Sequence, residues 1–156
     1  HYMAEVIDTI ALQLPESQIL FNYIPSQISQ AKAVFDLCGE KTQQRIHFEI
    51  FGKSLREFLS ITSHCNALIG NEGGAINMAK ALDIPTFAIF SPCTRKEAWA
   101  LFEDDKTSVS VHLKDYNPEY YKEKSTKAIK SNAQDLYDHF YPKKFKTKLV
   151  NFLNRT

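Results

Sequence analysis

Strand-sized apolar runs alternate with helical segments along the first two-thirds of this chain, and that alternation constrains the fold more than any other feature. Gln18–Tyr23, Arg45–Phe51, Asn66–Gly70, Pro85–Phe90 and Thr107–Leu113 each read as a strand. Ser26–Cys38, Ser54–Cys65 and Gly74–Leu82 lie between them and carry apolar residues at helical spacing. The first segment, Tyr2–Leu14, has Val6, Ile7, Ile10, Ala11 and Leu14 on one helical face. Parallel strands need a crossover between them, usually a helix, so strands alternating with helices predict βαβ units. The runs at Asn66–Gly70 and Pro85–Phe90 are apolar without period-two alternation, as strands covered on both faces require. The expectation is an α/β fold: one doubly wound parallel sheet of five strands in a three-layer arrangement.

After residue 113 the pattern changes. Glu119–Tyr141 reads as one long polar helix, which Pro142 stops, and Phe145–Leu153 reads as a last short helix. We therefore expect a ligand-binding domain over residues 1–113 and a helical extension, 114–156, packed on it. Charge divides in the same way. Residues 1–113 hold thirteen acidic against nine basic side chains, and residues 114–156 hold ten basic against five acidic. A basic tail reads first as a solvated lysine-rich surface and second as a contact for an anionic one. No apolar run approaches the ~20 residues that cross a bilayer, and no signal peptide is legible. The chain begins at His1, and its first helix lacks the strand that would normally precede it, so a piece of a longer protein is expected. Cys38, Cys65 and Cys93 are odd in number and show no metal-type spacing, which reads as reduced thiols in a cytosolic protein.

The densest chemical signal is Ile69–Ala79, IGNEGGAINMA. A strand ends, Asn71-Glu72-Gly73-Gly74 turns tightly, and a helix starts at once. The first amides of a helix lack intrahelical partners and carry the positive end of its dipole, and glycine lets a phosphate approach them. Two better-known phosphate motifs fail. GNEGGA does not fit GxGxxG, and Gly52-Lys53-Ser54 lacks the glycine of a Walker A loop, because His47 stands five residues before Gly52. Ser54 instead reads as an N-cap, with Glu57 completing a capping box. Loops at Asn22–Gln27 and Ser91–Thr94, the latter followed by Arg95, Lys96 and Trp99, are expected at the same sheet edge, where α/β ligands bind. Tyr23, Lys53, Glu72 and Arg95 read together as a nucleotide pocket at that edge, with packing the alternative for Tyr23, and Trp99 reads as a packing residue.

From Gly52 to Pro92 the chain resembles the C-terminal domain of glycosyltransferase family 9, the ADP-heptose:lipopolysaccharide heptosyltransferases. The resemblance rests on Gly52-Lys53-Ser54-Leu55, the apolar run Ala67–Gly70, Asn71 to Ala79, Ala81-Leu82-Asp83-Ile84-Pro85, and Phe87–Pro92. Weaker similarity extends over Tyr2–Ala31, and the tail matches only in being helical. The resemblance implies the C-terminal half of a GT-B enzyme, in which two Rossmann-like domains face each other across a cleft. It implies that Gly73 and Gly74 hold the pyrophosphate of a nucleoside diphosphate sugar such as ADP-heptose, with Glu72 near the sugar. Lys53, Ser54 and Leu55 would hold base and ribose, and Gln27 would meet the ribose. Asn77, also in the donor-site motif, stands where the family has histidine. Ala75 replaces a frequent proline and Glu72 the usual aspartate. These departures leave the sugar open.

The general base of such enzymes lies in their N-terminal domain, so no catalytic residue is expected here, nor activity without that domain. Neither a metal nor a bound cofactor is implied. The implied partners are the donor, a glycolipid acceptor and the N-terminal domain of the same protein. No nucleic acid is implied. The implied location is the cytoplasm, with peripheral contact at the inner membrane. Two other readings suit the pattern: a nucleotide-sugar epimerase, and a receiver-like signalling domain. The second needs an acidic cluster at the sheet edge, and the sequence supplies only Glu72 there.

Overall fold

The computed structural model describes residues 1–156 as two compact units, His1–His64 and Cys65–Thr156. Each is α/β with its own small parallel sheet.

The first unit runs α1 (Tyr2–Gln13), β1 (Ile19–Leu20), a 3-10 turn (Pro25–Gln27), α2 (Ile28–Asp36), α3 (Glu40–Gln43), β2 (Ile46–His47) and α4 (Leu55–Thr62). Its core joins Ala4 and Ile7 of α1 to Cys38 and to Ile46 of β2, with Ile19, Phe21, Val34, Phe35 and Phe48 packed around them. No basic residue stands in the last turn of α1. Arg45, half-buried at the start of β2, supplies the missing donors from a distance. Its guanidinium donates to the carbonyls of Ala11 at 2.7 Å, Leu14 at 2.9 Å and Pro15 at 2.6 Å. Planar, multi-donor geometry suits arginine to satisfying several orphan carbonyls at once.

Strands β1 and β2 pair in parallel over only two residues, Ile19 with Ile46 and Leu20 with His47. The longer strands expected at Gln18–Tyr23 and Arg45–Phe51 do not form. Their aromatic residues leave the ladder and pack ring to ring: Tyr23 lies 5.0 Å from Phe48 and 4.9 Å from Phe51, and its hydroxyl donates to the Phe48 carbonyl. Pro25, which has no N–H, then opens the 3-10 turn.

The second unit runs β3 (Leu68–Asn71), α5 (Gly74–Ala81), β4 (Thr86–Ile89), α6 (Lys96–Trp99) and β5 (Ser108–Val111). The tail follows with α7 (Thr126–Ser131), α8 (Ala133–His139) and α9 (Lys146–Leu153), and 3-10 turns precede α7 and α9. The three strands are parallel in the order β3-β4-β5, with Gly70 beside Ala88 and Ala88 beside Ser110. Strand β4 is central and almost wholly buried. Ala88 and Phe90 face Ile76 of α5 on one side. Phe87 faces Phe145 and Phe152 on the other, at centroid distances of 6.2 and 5.6 Å. This unit therefore has three layers, with α5 and α9 on opposite faces of its sheet.

The outer edge of β5 is closed by side chains. Asp104 accepts from the backbone N–H groups of Lys106, Thr107 and Ser108, while Lys96 and Lys148 both donate to the Ser110 carbonyl. The amides of Ser108 and Lys106, with the Thr107 hydroxyl, hold the Asp104 carboxyl well below the usual carboxylate range. An edge so occupied cannot recruit another strand.

Two expectations need correction. The strands make two sheets of two and three rather than one of five. The single helix expected over Glu119–Tyr141 is a 3-10 turn, Pro118–Tyr121, followed by α7 and α8, which break apart at Asn132. Ser125 caps α7 through Ala128, and the Asn132 side chain bonds to Asp135, so local side-chain bonds divide the segment. No helix of the chain is long and apolar enough to cross a membrane.

Arg45→Met should cost about 1.5–3 kcal/mol of stability, since carbonyls bonded to a charged donor lose it. Arg45→Lys should recover only part, because an ammonium cannot span three carbonyls. Urea unfolding midpoints of the two variants check this.

Candidate functional site

Helix α5 begins where β3 ends, with Gly73 as its N-cap at φ 151° and ψ −167°. That backbone belongs to glycine, and a side chain would strain it. No side chain caps this helix. The contrast with α4 is direct. There the Ser54 hydroxyl accepts from Glu57 N–H at 3.2 Å, and the Glu57 carboxylate accepts from Lys53 N–H at 2.8 Å. Ser54 caps α4 as expected, but Glu57 reaches back to Lys53 N–H rather than to Ser54 N–H, so the capping box expected there is incomplete, and the two bonds still occupy donors at this helix start.

The bare start of α5 opens into a cleft of about 440 Å³. Glu72, Gly73, Gly74 and Asn77 line it, and so do Lys80, Thr94 and Trp99. Gly73, Gly74 and Asn77 are exposed. A Cβ built on Gly73 meets nothing within 4 Å, and one on Gly74 meets only the Met78 methyl at 3.8 Å. Packing therefore does not require a glycine at 74, and the space beside it is open. Gly52 is the opposite case. A Cβ there would fall 2.3 Å from the Phe58 amide nitrogen, so Gly52 is fixed by close approach of α4.

Glu72 does not hang free in the cleft. Its Oε2 accepts from Ser91 N–H at 2.9 Å and its Oε1 from the Thr94 hydroxyl at 3.1 Å. Lys80, one turn beyond Asn77, is nearly buried. It donates to the Leu101 carbonyl at 2.7 Å and lies 3.5 Å from Glu103. Its cation therefore sits beside the cleft but is tied to the α6–β5 connection.

Of the eight residues singled out in the sequence, Glu72, Gly73, Gly74 and Asn77 come together on this cleft. Gln27, Lys53, Ser54 and Leu55 belong to the first unit and do not line it. Gln27 closes the 3-10 turn after β1, and Lys53, Ser54 and Leu55 open α4, all four exposed. Trp99 is a correction: read as packing, it is 61% exposed and forms part of the cleft wall. Lys80 was missed, although its i+3 spacing from Asn77 puts it on the same helix face. Tyr23, read as a pocket residue with packing the alternative, packs on Phe48 and Phe51.

Burial governs the three thiols of the chain and His112. Burial, then Asp8, pushes the Cys38 thiol up to about 11, and burial raises Cys65 and Cys93 as well. These thiols, none of them in a disulfide, are poor nucleophiles. No group of three or more His, Cys, Asp or Glu side chains could hold a metal ion. His112 follows β5 and is 2% exposed. Its Nδ1 accepts from Lys114 N–H at 3.0 Å, which places the proton on Nε2. Nε2 has the Thr94 backbone nearby but no acceptor in bonding geometry. Burial holds this imidazole below its ordinary value, against the opposing pull of Asp115.

Compared with models of known protein families, with curated proteins and with solved structures, the chain matches none.

A histidine whose folded pKa lies below its unfolded value of ~6.5 gives its full stabilisation above that value and loses it as pH falls through the folded one. The chain should therefore lose stability from about pH 6.5 downward, and His112→Asn should lose less over the same interval. Urea midpoints at pH 7.5 and pH 5 for both proteins measure the difference.

Proposed function

We propose that this chain is the donor-binding domain of a GT-B glycosyltransferase of the heptosyltransferase kind. The whole enzyme would transfer a sugar from a nucleoside diphosphate to lipopolysaccharide or a related cell-envelope glycan. One observation carries the reading: the uncapped amides at the start of α5 meet a cleft beside two glycines, one of which packing does not require. Such amides stabilise a diphosphate, bound or departing, through fixed dipoles and without a metal.

In this reading Gly73 and Gly74 cradle the pyrophosphate, and Asn77 reaches the ligand from the next turn. The general base belongs to a partner domain of the same protein. Lys122, Lys124, Lys127, Lys130, Lys143 and Lys146 are exposed on the tail, which suits peripheral contact with an anionic membrane face that presents a glycolipid acceptor. The cytoplasm is the compartment that goes with this role.

Gly74→Ala separates binding from packing. An added methyl meets only Met78, and alanine is the better helix former, so stability should hold or rise by up to ~1 kcal/mol. Affinity for ADP should fall on the order of tenfold, equivalent to ~1.4 kcal/mol. Calorimetry with the wild-type chain and this variant reads both. Equal ADP binding by the two, or no binding of ADP by the wild type, would overturn the reading.

A further inference from the structure

The chain has a single tryptophan, and it stands in the cleft. Trp99 ends α6 with 61% of its surface exposed. Burying a side chain of this size removes about 150–250 Å² from water, so leaving it exposed forgoes a large stabilisation. Its backbone is well held all the same. Ala100 N–H donates to the Lys96 carbonyl at 2.8 Å and Leu101 N–H to the Trp99 carbonyl at 2.9 Å.

We propose that Trp99 is the wall against which the sugar ring of the donor packs, with Glu72 the positioning residue that holds this wall in place. The inference rests on the donor reading above. A sugar ring has a polar rim of hydroxyls and a face of C–H bonds. The π face of tryptophan is negative and apolar and receives such C–H groups. The Asn77 side chain, both donor and acceptor, is on the same cleft for the hydroxyls.

Both Glu72 oxygens are engaged, by Ser91 N–H and the Thr94 hydroxyl, so this carboxylate serves the wall rather than the sugar. Thr94 immediately precedes Arg95, the N-cap of α6. The Ser91 hydroxyl also accepts from Tyr137 at 2.8 Å, which fixes the other end of the loop. The extra methylene of glutamate over aspartate is the reach that spans from the end of β3 to this loop.

Fluorescence of the lone tryptophan tests the proposal with the wild-type chain, ADP and ADP-glucose. ADP-glucose should quench Trp99 and shift its emission to the blue, and ADP alone should bind with little change. Trp99→Leu, at an exposed site that should not trouble folding, should bind ADP-glucose about tenfold more weakly and ADP as before. Glu72→Asp should lose the same sugar-dependent increment with Trp99 present, and Glu72→Gln, which keeps the reach, accepts from Ser91 N–H through its oxygen and donates from its amide to the Thr94 hydroxyl, should restore it. If ADP alone moves the emission as far as ADP-glucose, or if Trp99→Leu keeps its affinity for ADP-glucose, the proposal fails while the donor reading stands. If neither compound binds the wild-type chain, both fail together.

Discussion

Parallel pairing of β3, β4 and β5 decides where the second unit can put its chemistry. All three strands deliver their carboxyl ends to one edge, so the turn before α5, the loop from Ser91 to Thr94 and the segment after His112 gather there. Pairing also demands that each crossover lie on a face. Helix α5 covers Ala88 and Phe90, and α9 covers Phe87 from the opposite side. The sheet stays small because its last strand is closed by Asp104, Lys96 and Lys148. What remains open is the cleft at the carboxyl edge, where open α/β sheets bind ligands.

Within that frame the helix starts are not equivalent. Ser54 caps α4 and Ser125 caps α7, each with its hydroxyl on the N–H three residues on. Helix α5 begins with glycine and no cap. A serine or aspartate would satisfy one of its orphan donors and typically add ~1 kcal/mol. Helices α1, α2, α3, α6, α8 and α9 also start without a side-chain cap, but the bare start that lines the cleft is that of α5. Glu72, one residue earlier, is directed sideways into the loop after β4 and not onto the helix. The turn therefore keeps its donors free while its flank is braced.

Strands β3 and β4 were legible because a parallel strand covered on both faces leaves an apolar run, and β5, which alternates serine with valine, through its β-branched residues. Leu68–Asn71, Thr86–Ile89 and Ser108–Val111 all fall within one residue of the stretches read as strands. The first unit misled for a physical reason. Alternation in Arg45–Phe51 looks like a strand, but Phe48 and Phe51 are spent on Tyr23 and the ladder ends at His47. The break at Asn132 was hidden because the Ser125 cap and the Asn132–Asp135 bond look, in sequence, like ordinary polar helix surface. The four residues around Gly73 were legible because glycine pairs between strand and helix are a local signal. The brace on Glu72 and the tie on Lys80 were not, since Ser91, Thr94, Leu101 and Glu103 are 19 to 23 positions away and no spacing announces them.

Bare amides aimed at an anion are the centre of this account, and their own resonances report on it. In a ¹⁵N–¹H titration of the wild-type chain with ADP, the amide protons of Gly74 and Ala75 should move downfield and saturate, as hydrogen bonds to phosphate require. Those of Leu55 and Arg56, behind the Ser54 cap, should move far less. Unmoved Gly74 and Ala75 resonances at saturating ADP would contradict the account.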